Sequence, residues 1–482
     1  MVFSDLLFLL VFIPSFALCY LLGTLLDKAI SKGLAEKRVL ARNIVIVLYS
    51  LIFYGWGEPI YVFLMVLCVF LNYLSGLCID RFDGKKRKVA LSIGLVVNLA
   101  ILGTFKYADF FVQTLCDLGL NIPLPNIALP IGISFYTFQS ISYLIDVYRK
   151  QSPAQKHFGN LLLYISMFPQ LVAGPIVRYD TIAREINNRS TSAADIAEGL
   201  FRFLIGLGKK VIIANQFSEI ADQFLANGIN NLSTAGAWIG AFAYAIQIYF
   251  DFSGYSDMAI GMGRCMGFHF NENFDHPYIS RTVTEFWRRW HMSLGGFFRD
   301  YVYIPLGGNR RHQMLNILIV WTLTGLWHGA SWNFVLWGLY FGMVLLIEKY
   351  VVLRFAEKLP RVLMHIYALA MISFSWGLFY FDDLGSVGKF YKALFGQSTV
   401  AADIAEESAM LNNFWLWAVA ILFCMPVRKY AGQLSERLFA KHEGVLATVN
   451  TTSRIVASLA ILILSVALLV GATNNAFIYT RF

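Results

Sequence analysis

The sequence predicts an all-α, polytopic membrane protein, and three observations carry that reading. Of 482 residues, 57% are hydrophobic and 14% charged, well below the roughly 25% charge of an average soluble domain. Mean hydropathy is +0.59. The apolar residues gather in runs that cross, or nearly cross, a bilayer, for which a helix needs about 20 residues.

The first run, residues 3 to 25, lacks a basic leader and a small-residue cleavage site, so it is expected to remain as a helix rather than leave as a signal peptide. Runs follow near 42 to 56, 59 to 79 and 89 to 112. Two basic loops, Lys32 to Arg42 and Arg81 to Lys88, and the short Gly55-Trp56-Gly57-Glu58-Pro59 break separate them. Placing both basic loops on the cytoplasmic side puts the N-terminus outside. Pro123, Pro125 and Pro130 then lead into Ile131 to Ser142, an apolar stretch with Ser134, Thr137, Gln139 and Ser140. Hydroxyls and an amide at membrane depth need protein or a wet cavity around them, which predicts a broken or re-entrant helix. Further runs near 161 to 177, 198 to 216, 234 to 250, 315 to 347, 362 to 380, 411 to 427 and 453 to 472 bring the expectation to roughly ten or eleven crossings. The 315 to 347 run is expected to split near His328.

The chain reads as one membrane-embedded domain, 1–482, with a motif-rich polar segment at 251–312. That segment carries Arg281, Arg288, Arg289, Arg299, Arg310 and Arg311. It is expected to form interfacial amphipathic helices anchored by Trp287 and Trp290. The net charge of +9 falls in short loops between apolar runs, which fits anionic lipid and argues against nucleic acid. Six cysteines without C-x-x-C spacing read as packing residues. No His/Cys/Asp/Glu spacing has the form of a metal site, so no metal is expected. No Gly-x-Ser-x-Gly elbow is present either.

One residue stands out chemically. His328 lies in Gly325-Leu326-Trp327-His328-Gly329-Ala330-Ser331-Trp332, and an imidazole at membrane depth needs polar partners or solvent access to offset its desolvation. A neutral imidazole titrates near the working pH and can act as a general base that takes a hydroxyl proton. Ser331 and Asn333 are candidates to orient it. A helix through Trp287-Arg288-Arg289-Trp290-His291 would put Trp287 and His291 on one face and Arg288 on a neighbouring strip. Such a helix is either a basic surface for a phosphorylated donor or an interfacial anchor. Gly307-Gly308-Asn309-Arg310 offers backbone donors and charge to phosphate without the Lys-Ser/Thr of a P-loop. Asp251, Ser253, Tyr255 and Asp257 either line a tunnel or satisfy a helix junction. Gln139 and Gln170 have the same two readings.

The ordered motifs Phe168-Pro169-Gln170-Leu171-Val172-Ala173-Gly174-Pro175-Ile176, Asp251 to Asp257, Phe274-Asp275-His276-Pro277-Tyr278, Glu285 to Leu294, Tyr303 to Arg310 and Trp327-His328-Gly329 resemble the membrane-bound O-acyltransferase family. The opening Met1-Val2-Phe3-Ser4 and the closing Phe477-Ile478-Tyr479 fit its alginate-type branch. The resemblance implies a multi-helix bundle with a central tunnel, His328 as the family's characteristic histidine and His291 as the second. It also implies acetyl-CoA as acyl donor without a tightly bound cofactor. The acetyl group would be handed to periplasmic O-acetyltransferases and a polysaccharide synthesis and export complex. Arg288, Arg289, Asn309 and Arg310 are the expected donor-binding residues. A proton-coupled transporter or export channel, and a non-catalytic scaffold of an acetylation complex, are the alternatives.

Overall fold

Among the described residues seven helices are long and apolar enough to cross a membrane, and the chain is a multi-pass membrane protein. In the computed structural model these are Phe8–Ile30, Leu40–Gly57, Tyr61–Arg81, Gly84–Asp117, Trp332–Phe355, Arg361–Tyr380 and Gly444–Leu469. A pair bent by 76°, Phe414–Phe423 and Val427–Arg437, makes an eighth if it acts as one span. The structure describes residues 2–32, 39–172, 174–356, 358–438, 443–472 and 477. Met1, Ala173, Ile478, Tyr479 and most of the basic stretch from Lys32 to Arg42 lie outside the described residues. Among the described residues every regular element is a helix.

The difference from ten or eleven expected crossings has local causes. The 161 to 177 run breaks at Met167 into Phe158–Ser166 and Phe168–Leu171, where Pro169 belongs at a helix start and not in its interior. The 198 to 216 run sits in Ala193–Gly208 and a π-helical continuation, Lys209–Ala214, that carries two lysines. The 234 to 250 run does not end at Phe250. It continues to Cys265 as one 32-residue helix, so the start expected for an interfacial segment at Asp251 lies within a helix. The 315 to 347 run does split, into Gln313–His328 and Trp332–Ile347.

The described residues divide into two compact units by their internal contacts: those within 1–203 and 256–271, and those within 204–255 and 272–477. In the first unit, Asp27 shows how an acidic residue survives inside an apolar helix pair. Its carboxylate accepts from Ala41 N (2.9 Å) and Arg42 N (3.2 Å), and from Arg42 Nε (3.1 Å). It thereby supplies acceptors to the start of Leu40–Gly57. Asn72 and Asn98 exchange amide bonds of 3.0 and 2.8 Å between Tyr61–Arg81 and Gly84–Leu102. The Ile133–Tyr148 helix is one unbroken element, buried on every side from Ile133 to Leu144, so its hydroxyls and amide meet protein. It begins at Gly132, whose φ of 78° suits glycine.

In the second unit, Lys210 and Asp251 form a buried ion pair at 2.6 Å. A β-carbon at Gly254 would lie 2.7 Å from the Gly206 carbonyl, so glycine lets these two backbones meet. Asp257 pairs with Arg202 at 2.8 Å within the first unit. Both acidic residues of the 251–257 motif therefore satisfy helix junctions.

Candidate active site

His328 owes its position to glycine. A β-carbon at Gly325 would strike the Phe334 carbonyl, and one at Gly338 the Trp321 carbonyl, so Gln313–His328 and Trp332–Ile347 pack backbone to backbone as a hairpin. His328 is the last residue of the first helix and is 2% exposed. Three rings frame it: Trp327 at 4.9 Å, Trp337 at 5.1 Å and Phe379 at 5.1 Å between centroids.

The neighbours expected to orient the ring have other duties. Because the helix ends at His328, Ser331 falls in the turn, where its hydroxyl donates to Asn333 Oδ1. The Asn333 amide donates to the carbonyls of Leu378 (3.2 Å) and Phe381 (2.7 Å). It fastens the hairpin to the end of Arg361–Tyr380, which supplies Phe379 to the cage.

His291 reaches the same neighbourhood by a helix break. Val283–Arg289 stops short of it; Trp290 is extended and His291 adopts a left-handed conformation at φ 44°, ψ 52°. The expected shared helical face of Trp287 and His291 is thus absent. What joins them is a cavity of about 240 Å³ in the second unit, lined by Trp287, Trp290, His291, Trp321 and Thr324, with Arg299 also on its wall. A 150 Å³ apolar cavity holds a benzene-sized ligand, so this one has room for a short acyl chain. Trp290 is buried in an aromatic cluster against Phe286 (5.3 Å) and Phe274 (5.1 Å). It is therefore a wall of the site and not the interfacial anchor expected of it.

The hydrogen bonds around His291 define its tautomer. Asn273 Oδ1 accepts from Ser293 N (3.3 Å) and Ser293 Oγ (2.8 Å), which identifies it as the amide oxygen. It lies 3.0 Å from His291 Nδ1, so Nδ1 carries the proton and Nε2 is the basic nitrogen. His291 is 1% exposed. It lies outside the membrane-spanning helices, and burial pushes its imidazole down to about 3, which keeps it neutral. Trp327 stands between the histidines in contact terms: its ring centroid is 5.8 Å from His291 and 4.9 Å from His328.

The expected donor-binding residues part company. Arg289 is engaged with Asp275 (3.0 Å) and Glu285 (3.1 Å). Arg288 is exposed and Arg310 is exposed. Asn309 Oδ1 accepts from the Tyr303 hydroxyl at 2.7 Å and from the Gln313 amide. Backbone donors of Gly307, Gly308 and Arg310 are spent inside the loop, on Ile304, Tyr303 and Gly307 carbonyls. Among the described residues no group of three or more His, Cys, Asp or Glu side chains gathers as a metal site. Asn273 and Thr324 are site residues that the sequence did not single out; a buried-type Asn just before the Phe274-Asp275-His276 motif was the available signal for the first.

A family model for the membrane-bound O-acyltransferases matches residues 48–384. The chain belongs to the membrane-bound O-acyltransferase family. Its cage histidine and its cavity both lie in or beside the matched span. This O-acyltransferase is 40% identical over 446 residues to a probable alginate O-acetylase of Azotobacter vinelandii, covering 90% of this chain and 86% of the relative. It is 33% identical over 479 residues to a peptidoglycan O-acetyltransferase of Helicobacter pylori, covering 91% of each chain. A teichoic acid D-alanyltransferase of Bacillus subtilis is 29% identical over 353 residues, or 69% of this chain and 86% of the relative. These three relatives are named for transfer of an acetyl or D-alanyl group, with alginate, peptidoglycan and teichoic acid as the named polymers.

Proposed function

We propose that this O-acyltransferase takes acetyl from acetyl-CoA at the cytoplasmic face of the bacterial inner membrane and passes it across for O-acetylation of an exported polysaccharide. The observation that carries the reading is the pair of buried histidines in contact with one tryptophan ring, one of them lining an acyl-sized apolar cavity. The names of the relatives favour acetyl as the group and a polysaccharide as its destination.

His328 acts as the general base. The acceptor hydroxyl gives its proton to the imidazole as its oxygen bonds to the thioester carbonyl carbon. The C–S bond then breaks, and the departing thiolate takes up a proton as free thiol. His291, with Nδ1 tied to Asn273, accepts a hydrogen bond at Nε2 and steadies the reacting groups. The aromatic walls exclude water and so limit hydrolysis of the donor. Exposed Arg288 and Arg310 meet donor phosphates. Periplasmic O-acetyltransferases of the polysaccharide export complex receive the acetyl group, and the N-terminus faces the periplasm, in keeping with the basic loop from Arg81 to Lys88.

The test is the acetyl content of exported polysaccharide in a deletion strain complemented with wild-type or His328→Ala protein at matched membrane levels. Wild type restores acetylation and the variant does not. Full restoration by the variant would remove His328 from the chemistry.

A further inference from the structure

Glu348 is an acidic residue inside the Trp332–Phe355 span, and it is 0% exposed. It opens a π-helical turn, Glu348–Val352, a local widening that recurs where a helix must present a particular side chain. Its carboxylate accepts two backbone bonds from a distant helix, Val283 N on Oε2 and Thr284 N on Oε1, each at 2.7 Å. The Tyr367 hydroxyl stands within hydrogen-bonding reach.

These bonds complete the start of Val283–Arg289. Glu285 N is held by the Thr282 hydroxyl at 3.0 Å, and Phe286 N by the Thr282 carbonyl at 3.0 Å. Three of the donors that a helix start leaves open, those of Val283, Thr284 and Glu285, are thus satisfied, two of them by Glu348. His365 adds a second tie by donating from Nδ1 to the Ser280 carbonyl at 2.9 Å. The helix has only seven residues, too few to hold its place by its own ladder. Its middle carries Trp287 to the cavity, and its end leads directly into Trp290 and His291. Fixing one end of so short a rod fixes the other.

We propose that Glu348 is a positioning residue for acyl transfer, its carboxylate holding the Val283–Arg289 helix so that Trp290 and His291 stand against the cavity. The proposal rests on the acyl-transfer reading for its kinetic consequence, but not for its structural one. A displacement of about 1 Å at a reacting group costs roughly 100-fold in rate. Glu348→Ala lowers kcat for acetyl transfer by about that factor, with KM for acetyl-CoA near the wild-type value. Glu348→Gln keeps one acceptor oxygen and presents an amide donor to the other N–H, so it loses about 10-fold in kcat.

The experiment uses the full-length protein purified in detergent, checked for monodisperse elution. It measures kcat and KM with acetyl-CoA, hydrogen exchange at the Val283 and Thr284 amides, and reaction of His291 with diethyl pyrocarbonate by mass spectrometry. The expected result is reduced kcat, faster exchange at those two amides and increased His291 modification in Glu348→Ala. Glu348→Gln follows in the same directions to a smaller extent. If Glu348→Ala does not fold, Glu348→Gln decides. Wild-type kcat in a folded variant overturns the proposal, as does a loss of kcat with exchange and labelling unchanged. A wild-type protein that transfers no acetyl would defeat the functional reading, while exchange and labelling would still decide whether Glu348 holds the helix.

Discussion

Two buried polar sites, one in each unit, show opposite ways of keeping a hydrogen-bonding side chain inside an apolar helix bundle. Asp27 is surrounded by donors: two backbone N–H groups and the Arg42 guanidinium close on its carboxylate. His328 is framed by the rings of Trp327, Trp337 and Phe379. The first arrangement uses the polar group to hold two helices in register. The second sets an imidazole among aromatic rings, one of which, Trp327, also touches the cavity-lining His291. Burial of a polar residue in a membrane protein therefore does not identify chemistry; the character of its surroundings does. The same contrast separates Asp251, closed on Lys210, from His291, whose bond to Asn273 selects its tautomer.

The comparison can be broken at either end. Asp27→Ala leaves Arg42 buried without its carboxylate and is expected to cost about 3–5 kcal/mol of stability. Thermal unfolding in detergent reads the loss, and the remaining folded enzyme keeps its kcat; a fall in kcat without loss of stability would make Asp27 part of the chemistry. Asn273→Ala releases Nδ1 of His291 and is expected to lower kcat about 10- to 100-fold with less effect on stability than Asp27→Ala. Steady-state kinetics beside a melting curve separates the two.

The third prediction concerns pH. His291 has a folded value pushed down to about 3, against about 6.5 in an unfolded chain. The unfolded state therefore binds the extra proton first, and the stability His291 contributes is present above pH 6.5 and declines as pH falls toward 3. Between pH 6.5 and pH 5 the decline is about 2 kcal/mol. Comparing wild type with His291→Gln across that window checks it, since the variant lacks this slope. The smallest effect belongs to the exposed arginines. Joint replacement of Arg288 and Arg310 by Ala is expected to raise KM for acetyl-CoA about threefold, an effect that fades in high salt.

How far the sequence could be read follows from the same contrast. The apolar runs, the split at His328 and the family were all visible, because length, hydropathy and an ordered motif set are local signals. For Asp251 and Asp257 a junction role stood beside a tunnel-lining one and the choice was hidden, since their partners Lys210 and Arg202 lie about 40 and 55 positions away along the chain. The end of the helix at Arg289 was hidden because Trp290 and His291 carry no glycine or proline to mark the break. Trp290 read as an interfacial anchor on composition, yet tertiary packing buried it. Glu348 lies just past the 315 to 347 apolar run and carries no local signal of its role; only the folded chain brings Val283 and Thr284 to it.

The most direct test of the distinction between scaffold and chemistry is thiol release from acetyl-CoA by the purified protein, in the presence of its acceptor fraction, for wild type and His328→Ala at equal folded concentration. The account predicts turnover by wild type and a loss of about 1,000-fold in the variant with its melting temperature nearly unchanged. Turnover by His328→Ala at the wild-type rate would contradict it.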